Sequence, residues 1–174
     1  MQHDVSKFNP TEDRIADYRQ ALGSFPTGVT IITCMSQSGP LGITVNSFTS
    51  VSLNPPLIMW CLNKQSTRFS SFMNAGNFAV HVMPASSKNL CVSFAQSARA
   101  FEHTDWSLSL QKVPLLKGSL ACFECRQFAD YDGGDHSILL GQVDLVSTSN
   151  GVPLTFARGR FIDPDLEPHN DLSW

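Results

Sequence analysis

The chain of 174 residues has room for one domain with a sizeable core and is cramped for two. Its composition, 42% hydrophobic and 16% charged, is that of a soluble globular protein. A net charge of −3 and the lack of any Lys/Arg run exclude the electrostatic footprint of a nucleic-acid or membrane-surface binder.

The longest strongly apolar run, 57–62, falls far short of the roughly 20 residues of a membrane helix. Met1-Gln2-His3-Asp4 lacks the basic-then-apolar layout of a secretory signal, so a cytoplasmic protein is expected. The five cysteines, Cys34, Cys61, Cys91, Cys122 and Cys125, are odd in number and sit in apolar surroundings, which reads as buried reduced thiols. Cys122 and Cys125 form a C-x-x-C, but no second Cys or His pair follows at ligand spacing. On a strand, residues three apart face opposite ways, so no metal site is expected.

In chain order, residues 1–8 read as a loose arm. Asn9, Pro10 and Glu12 then predict a helix start, with Ile15, Tyr18 and Leu22 on one face for packing on a sheet and Gly23 at the close. The β-branched run 29–35 predicts a strand, turning at 36–40, with further strands near 41–48 and 56–62. Ser66 is a candidate cap for a short helix through Arg68, Phe69, Phe72 and Met73, stopped by Gly76. A strand over 78–83 precedes a second short helix from Ser86, with Leu90, Val92 and Phe94 apolar. Residues 96–118 read as an irregular loop long enough for a rim or lid. Two long strands, 119–131 and 137–148, are expected around Asp132-Gly133-Gly134-Asp135. Asn150-Gly151 predicts a hairpin turn before a last strand at 153–161, which puts Arg158 and Arg160 on one face. Beyond it the Asp- and Pro-rich tail, 163–174, has no period. Six or seven strands with short helices fit a closed or nearly closed antiparallel barrel. No G-x-G-x-x-G follows a strand, so a Rossmann domain is not supported.

One stretch is unusually polar: Thr44, Asn46, Ser47, Thr49, Ser50 and Ser52 place six hydroxyl or amide groups within nine positions. They suit a wall of donors for an acceptor-rich ligand, and a hairpin with a Ser/Thr-rich solvent face explains them as well.

Four ordered blocks carry a resemblance. Gly28-Val29-Thr30 with the segment 42–56, Cys61-Leu62 with Ser66, Gly134-Asp135-His136, and Arg158-Gly159-Arg160-Phe161 together resemble the short-chain flavin reductases. These are the small components of two-component, flavin-diffusible monooxygenases, and the similarity spans about 15–162. The resemblance implies a mainly β fold, the antiparallel split β-barrel that binds FMN, with short peripheral helices and flavin at a homodimer interface. It implies a single flavin reductase-like domain over 1–174, with FMN or FAD as flavin, NADH or NADPH as hydride donor, and a partner monooxygenase served by diffusible reduced flavin.

The resemblance also assigns roles. Thr44, Val45, Asn46, Ser47 and Ser50 would line the isoalloxazine. Ser52, Ser66, Thr67 and Arg68, with Lys64, would meet the ribityl chain and phosphate, where hydroxyls, free amides and cations suit an anion. Phe94, Ala95 and the loop to Arg99 would close over the flavin. Gly134, Asp135 and His136, with Phe161, would form the nicotinamide side, and His136 would orient the dinucleotide or stabilise charge. Hydride transfer between two cofactors asks for alignment more than for a catalytic triad, and no triad is visible. Relatives often carry Asn where this chain has His81, which otherwise reads as a hydrogen-bonded, half-buried strand residue. His3, His103 and His169 carry no clear role, and Trp106 is a candidate stacking partner. Alternative readings are a flavin-binding electron carrier or redox sensor without nicotinamide turnover, and a ligand-binding barrel without flavin. A pyridoxine-phosphate oxidase shares the architecture, but its phosphate-binding Arg/Lys pattern is not evident.

Overall fold

A computed structural model describes residues 5–102 and 104–162. His3, His103, His169, the tail 163–174 and the first four residues of the expected arm lie outside the described residues. A 3-10 turn (Glu12–Arg14) leads into α1 (Ile15–Leu22), followed by β1 (Thr27–Gly28), β2 (Thr30–Ser36), β3 (Gly39–Val45), β4 (Thr49–Leu53) and β5 (Pro56–Asn63). Next come α2 (Phe69–Met73), β6 (Asn77–Val82), α3 (Lys88–Gln96), β7 (Trp106–Leu108) and β8 (Pro114–Leu116). The long β9 (Ala121–Gly133) and β10 (His136–Thr148) precede β11 (Thr155–Ala157) and β12 (Arg160–Ile162).

Seven strands form one antiparallel sheet in the order β3-β2-β6-β9-β10-β5-β4. Laid flat, seven strands would hold the outermost two about 28 Å apart. Yet β3 and β4, its two end strands, are joined by 46–48 alone, a link that reaches at most about 14 Å from Val45 to Thr49. The sheet is therefore rolled back on itself. Rolling gives β2 two buried faces: Ile32 and Cys34 enter a core with Trp60, Phe72 and Phe78, while Ile31 enters a second with Met83, Phe94 and Phe101. The C-x-x-C divides the same way, Cys125 into the first core and Cys122 toward Ala79 and Val113. All five cysteines are free thiols.

Several expectations are corrected. The first helix begins at Glu12, after Thr11, and not at Asn9. Its apolar face does not pack on the sheet: Ile15, Tyr18 and Leu22 are 48%, 40% and 57% exposed. The stretch 96–118 contains the small hairpin β7–β8, whose strands are too short for alternation to reveal them. Trp106 is no free stacking platform, because its ring packs edge-on against Phe101 at 5.5 Å. Asn150-Gly151 joins no hairpin, since β10 pairs with β9 and β5 while β11 pairs with β1 and β12. The last strand is two strands, with Arg158 (φ 49°) and Gly159 (φ 76°) as the centre of a tight turn, so Arg158 and Arg160 do not share a strand face. His81 is fully buried and not half-buried.

Candidate active site

The end of β3 is held by α3. The Thr44 hydroxyl donates to the Cys91 carbonyl at 2.6 Å, and the Gly42 amide donates to the Ala98 carbonyl at 2.9 Å. Gly42 is needed there, because the Phe94 ring occupies the space a side chain would take. This arrangement brings Ala95 opposite Thr44, Val45 and Asn46. The β11–β12 hairpin adds Phe156 and Phe161, their rings edge to face at 5.4 Å. With Val29 these residues line a cavity of about 220 Å³. The Lys88 ammonium sits 5.7 Å from the Phe161 ring centroid, a cation at that wall.

The polar stretch is divided by the fold. Ser47 is spent on the backbone: its oxygen accepts the Cys61 amide at 3.0 Å and its hydroxyl lies 3.4 Å from the Cys61 carbonyl. Burial raises the Cys61 thiol pKa, and the Ser47 hydroxyl pulls it part of the way back. Ser50 and Ser52 lie on β4, opposite Ile58 and Leu57 and either side of a bulge at Val51. His136 pairs with Asn63 at the far end of β5, five residues from Ile58 and so about 17 Å along the strand. Phe94 is fully buried in the core, so its role at the cavity is to carry Ala95.

The segment after β5 runs along the rim between these parts. Ser66 accepts the Arg68 amide at 3.2 Å, Thr67 is exposed, and the Arg68 guanidinium reaches the Ala95 carbonyl at 3.5 Å. Partial burial lowers the Arg68 pKa from its usual value. The Lys64 ammonium is not free for a phosphate: it donates to the Gly134 carbonyl at 2.6 Å and to the Asp132 carboxylate. The Lys64 amide also donates to the Asp135 carbonyl at 3.0 Å. Gly134, at φ 75°, and Asp135 form the two-residue turn between β9 and β10, where glycine supplies the positive φ. At its exit His136 Nδ1 donates to Asp135 Oδ1 at 2.7 Å. That bond holds the Asp135 carboxyl below the usual range, fixes the ring, and leaves Nε2 as the free nitrogen.

The slot of Val29, Val45, Ala95, Phe156 and Phe161, with Asn46 at its edge, fits a flat apolar ring system carrying one polar side. Thr44, Val45, Asn46, Ala95 and Phe161 meet in it, and Arg68 joins through Ala95. Phe156 completes the wall without having been singled out, and Val29 was named only within the Gly28-Val29-Thr30 block with no role, for an apolar strand residue looks the same in sequence whether it faces core or cavity. Among the described residues no group of three or more His, Cys, Asp or Glu could hold a metal ion.

Residues 22–163 match the family model described as the flavin reductase like domain. An FMN reductase (NADH) of Agrobacterium fabrum is 44% identical over 154 residues, covering 88% of this chain and 88% of the relative. An NADH-dependent FAD reductase of Streptomyces globisporus is 40% identical over 165 residues, covering 90% of each. A probable flavin reductase of Rhizobium meliloti is 39% identical over 150 residues, 85% of this chain but only 48% of that longer protein. Among solved structures, the Streptomyces globisporus NADH:FAD oxidoreductase in complex with NAD and FAD fragments superposes with a TM-score of 0.84 at 37% identity, covering 94% of this chain and all of that one.

Proposed function

The chain belongs to the flavin reductase like domain family, and from that premise we propose that it is an NAD(P)H-dependent flavin reductase. It moves hydride from nicotinamide to FMN or FAD and supplies reduced flavin to a partner monooxygenase. The observation that carries the reading at the level of this chain is the apolar slot flanked on one rim by Arg68, with Lys64 of the same segment holding the turn that carries the Asp135–His136 pair. When bound, the flavin supplies the hydride acceptor. The protein's own part is geometric: Asn46 and backbone groups of 44–46 orient the ring edge, Val45, Ala95 and Phe161 exclude water, and Ser66, Thr67 and Arg68 take the phosphate. Ser47, by holding Cys61, fixes the path from β3 to β4; Ser50 and Ser52 extend the site along β4. His136 with Gly134 and Asp135 orients the nicotinamide.

The rolled sheet fits the split barrel of this family, with the core about 15–162 forming one domain. A homodimer agrees with the exposed apolar side chains on β4, β9 and β10: Leu53 at 94%, Leu145 at 59%, Tyr131 at 56% and Phe128 at 52%. A slot of about 220 Å³ is smaller than the ~300 Å³ or more of a complete ligand pocket, so a partner wall is in keeping with it. Five free thiols agree with a cytoplasmic setting, and among the described residues no helix is long and apolar enough to cross a membrane.

The test is oxidation of NADH and NADPH by the purified protein with FMN and FAD added separately. Oxidation that depends on added flavin is expected. Flavin binding without nucleotide oxidation would replace this reading with that of an electron carrier or sensor.

A further inference from the structure

Among the described residues, Phe156 is the one apolar side chain that lines both the slot and a second cavity of about 240 Å³ beside it. The other apolar walls of the slot are backed by protein. Val29 is 2% exposed and belongs to the second core, and Val45 packs against the first. Ala95 rides on α3, which the buried Phe94 anchors. Phe161 is covered by the Lys88 ammonium, 5.7 Å from its ring centroid. Phe156 also touches the second core, but it sits mid-way along a three-residue strand with empty space behind its ring. Hydride transfer asks for donor and acceptor atoms about 3–3.5 Å apart, so two flat rings must stack with no side chain between them. A slot of about 220 Å³ is below the ~300 Å³ at which complete ligand pockets begin, and a second ring needs a wall to yield. Only Phe156 has a cavity to yield into.

We propose that Phe156 is a ring gate: it stands where the nicotinamide must stack, and it turns into the second cavity when the nicotinamide enters. The inference rests on the reductase reading. A turn about the Cα–Cβ bond takes the ring from one staggered rotamer to another and leaves β11 in place. It gives up the edge-to-face contact with Phe161 at 5.4 Å and part of the packing on the second core. The incoming nicotinamide replaces that lost contact by stacking on the flavin. The gate thereby sets the apparent affinity for the donor, because only the fraction of molecules with the ring turned away is competent to bind it. Phe156 is a positioning residue in this reading, and its removal has a sign that a fixed wall does not predict: the donor should bind more tightly.

The experiment titrates the full chain, saturated with FMN or FAD, with tetrahydro-NAD, an analogue that stacks on flavin but has no hydride to give. Long-wavelength absorbance reports the stacked pair directly. The wild type is compared with Phe156→Ala, Phe156→Leu and Phe156→Tyr, each first checked by thermal unfolding and flavin binding. Turnover at saturating flavin is measured with NADH and with N-benzyl-dihydronicotinamide, a donor that is little more than the ring. Phe156→Ala is expected to tighten tetrahydro-NAD about two- to tenfold, the worth of one aromatic contact, and to lower KM for both donors by a similar factor. Phe156→Leu, apolar but without a flat ring, should fall between, and Phe156→Tyr should resemble the wild type. Unchanged or weaker analogue binding in both Phe156→Ala and Phe156→Leu overturns the proposal and leaves Phe156 a fixed wall. So does a fall in KM for NADH that the benzyl donor does not share, because the gate acts on the ring alone. If Phe156→Ala does not fold, Phe156→Leu carries the same test. If the wild type oxidises neither donor in the presence of flavin, the reductase reading fails and the gate with it; a failed gate in an active enzyme leaves that reading standing.

Discussion

The Phe94 ring lies so close to Gly42 that a Cβ there would stand 2.5 Å from two of its carbons. Phe94 has no exposed surface and meets Phe101 edge-on at 4.9 Å, so it cannot move aside without disturbing the second core. Gly42→Ala therefore pushes α3 away from β3. Overpacking of this kind costs about 1–3 kcal/mol, and the displacement carries Ala95 off the flavin slot. Thermal unfolding should show the loss of stability and a flavin titration the loss of affinity; Gly118→Ala, where a Cβ meets nothing within 4 Å, should cost stability through its φ of 80° alone and leave flavin affinity unchanged.

Thr44 holds the same junction by a hydrogen bond and not by shape. Its hydroxyl is engaged by the Cys91 carbonyl, so Thr44→Val removes a bond worth about 1 kcal/mol while keeping the side-chain volume. Flavin affinity is expected to fall in Thr44→Val and to be largely kept in Thr44→Ser. A larger loss in Thr44→Ser than in Thr44→Val would mean that the methyl group, and not the hydroxyl, is what the flavin needs.

The strand β2 was readable from its β-branched run and β5, β6, β9 and β10 from apolar runs between turn residues, whereas β4 was hidden in the polar stretch and the expected strand 41–48 stops at Val45; Gly134-Asp135 was readable because a glycine with an acidic residue between two long strands has one common use. The corrections share a different cause. Ile15, Tyr18 and Leu22 do repeat at helical spacing, but a stripe of apolar residues says only that something covers it, not that the chain's own sheet does. The Ser/Thr cluster promised a wall of free hydroxyls; Thr44 and Ser47 are instead committed to Cys91 and Cys61, partners 47 and 14 residues distant that no local pattern reveals. Lys64 was legible as a cation near a phosphate, yet its partners Asp132 and Gly134 lie on the other long hairpin. Phe156 carried no signal, because its place in the slot comes from where β11 ends up.

His81 sets an acid limit on stability. Its Nδ1–H donates to the Ile31 carbonyl and its Nε2 accepts the Leu116 amide, each at 3.0 Å, so the neutral ring ties β8 to β2 and β6. Burial pushes its pKa down from 6.5 to about 4, only partly opposed by the Ile31 bond. Its neighbour across the sheet, Cys122, has its pKa pushed up to about 12 and stays neutral. Protonation would set a donor against the Leu116 amide. The folded state thus prefers the neutral ring: this stability is present above pH 6.5 and is lost as pH falls toward 4, on the order of 3 kcal/mol in full. Urea unfolding at steps between pH 7.5 and 4 should show this decline, and His81→Asn, which cannot titrate, should flatten it.

The Gly134-Asp135 turn is fixed by its surroundings. Three groups fix it: the Lys64 ammonium on Gly134 and Asp132, the Lys64 amide on Asp135, and the Asp135 carboxylate on His136. The side chains of Asp132 and Asp135 are 79% and 82% exposed, so these ion pairs add little to global stability, and their effect should be read in positioning. His136→Ala is expected to lower kcat/KM for NADH on the order of tenfold, since a hydride donor held loosely seldom reaches the reacting geometry. Asp135→Asn keeps an oxygen to accept the Nδ1 proton and should be milder than Asp135→Ala. Lys64→Met should resemble Asp135→Ala in KM for NADH, and Lys64→Arg should recover part of the loss. If Lys64→Met instead weakens flavin binding with KM for NADH untouched, the lysine serves the phosphate and not the turn.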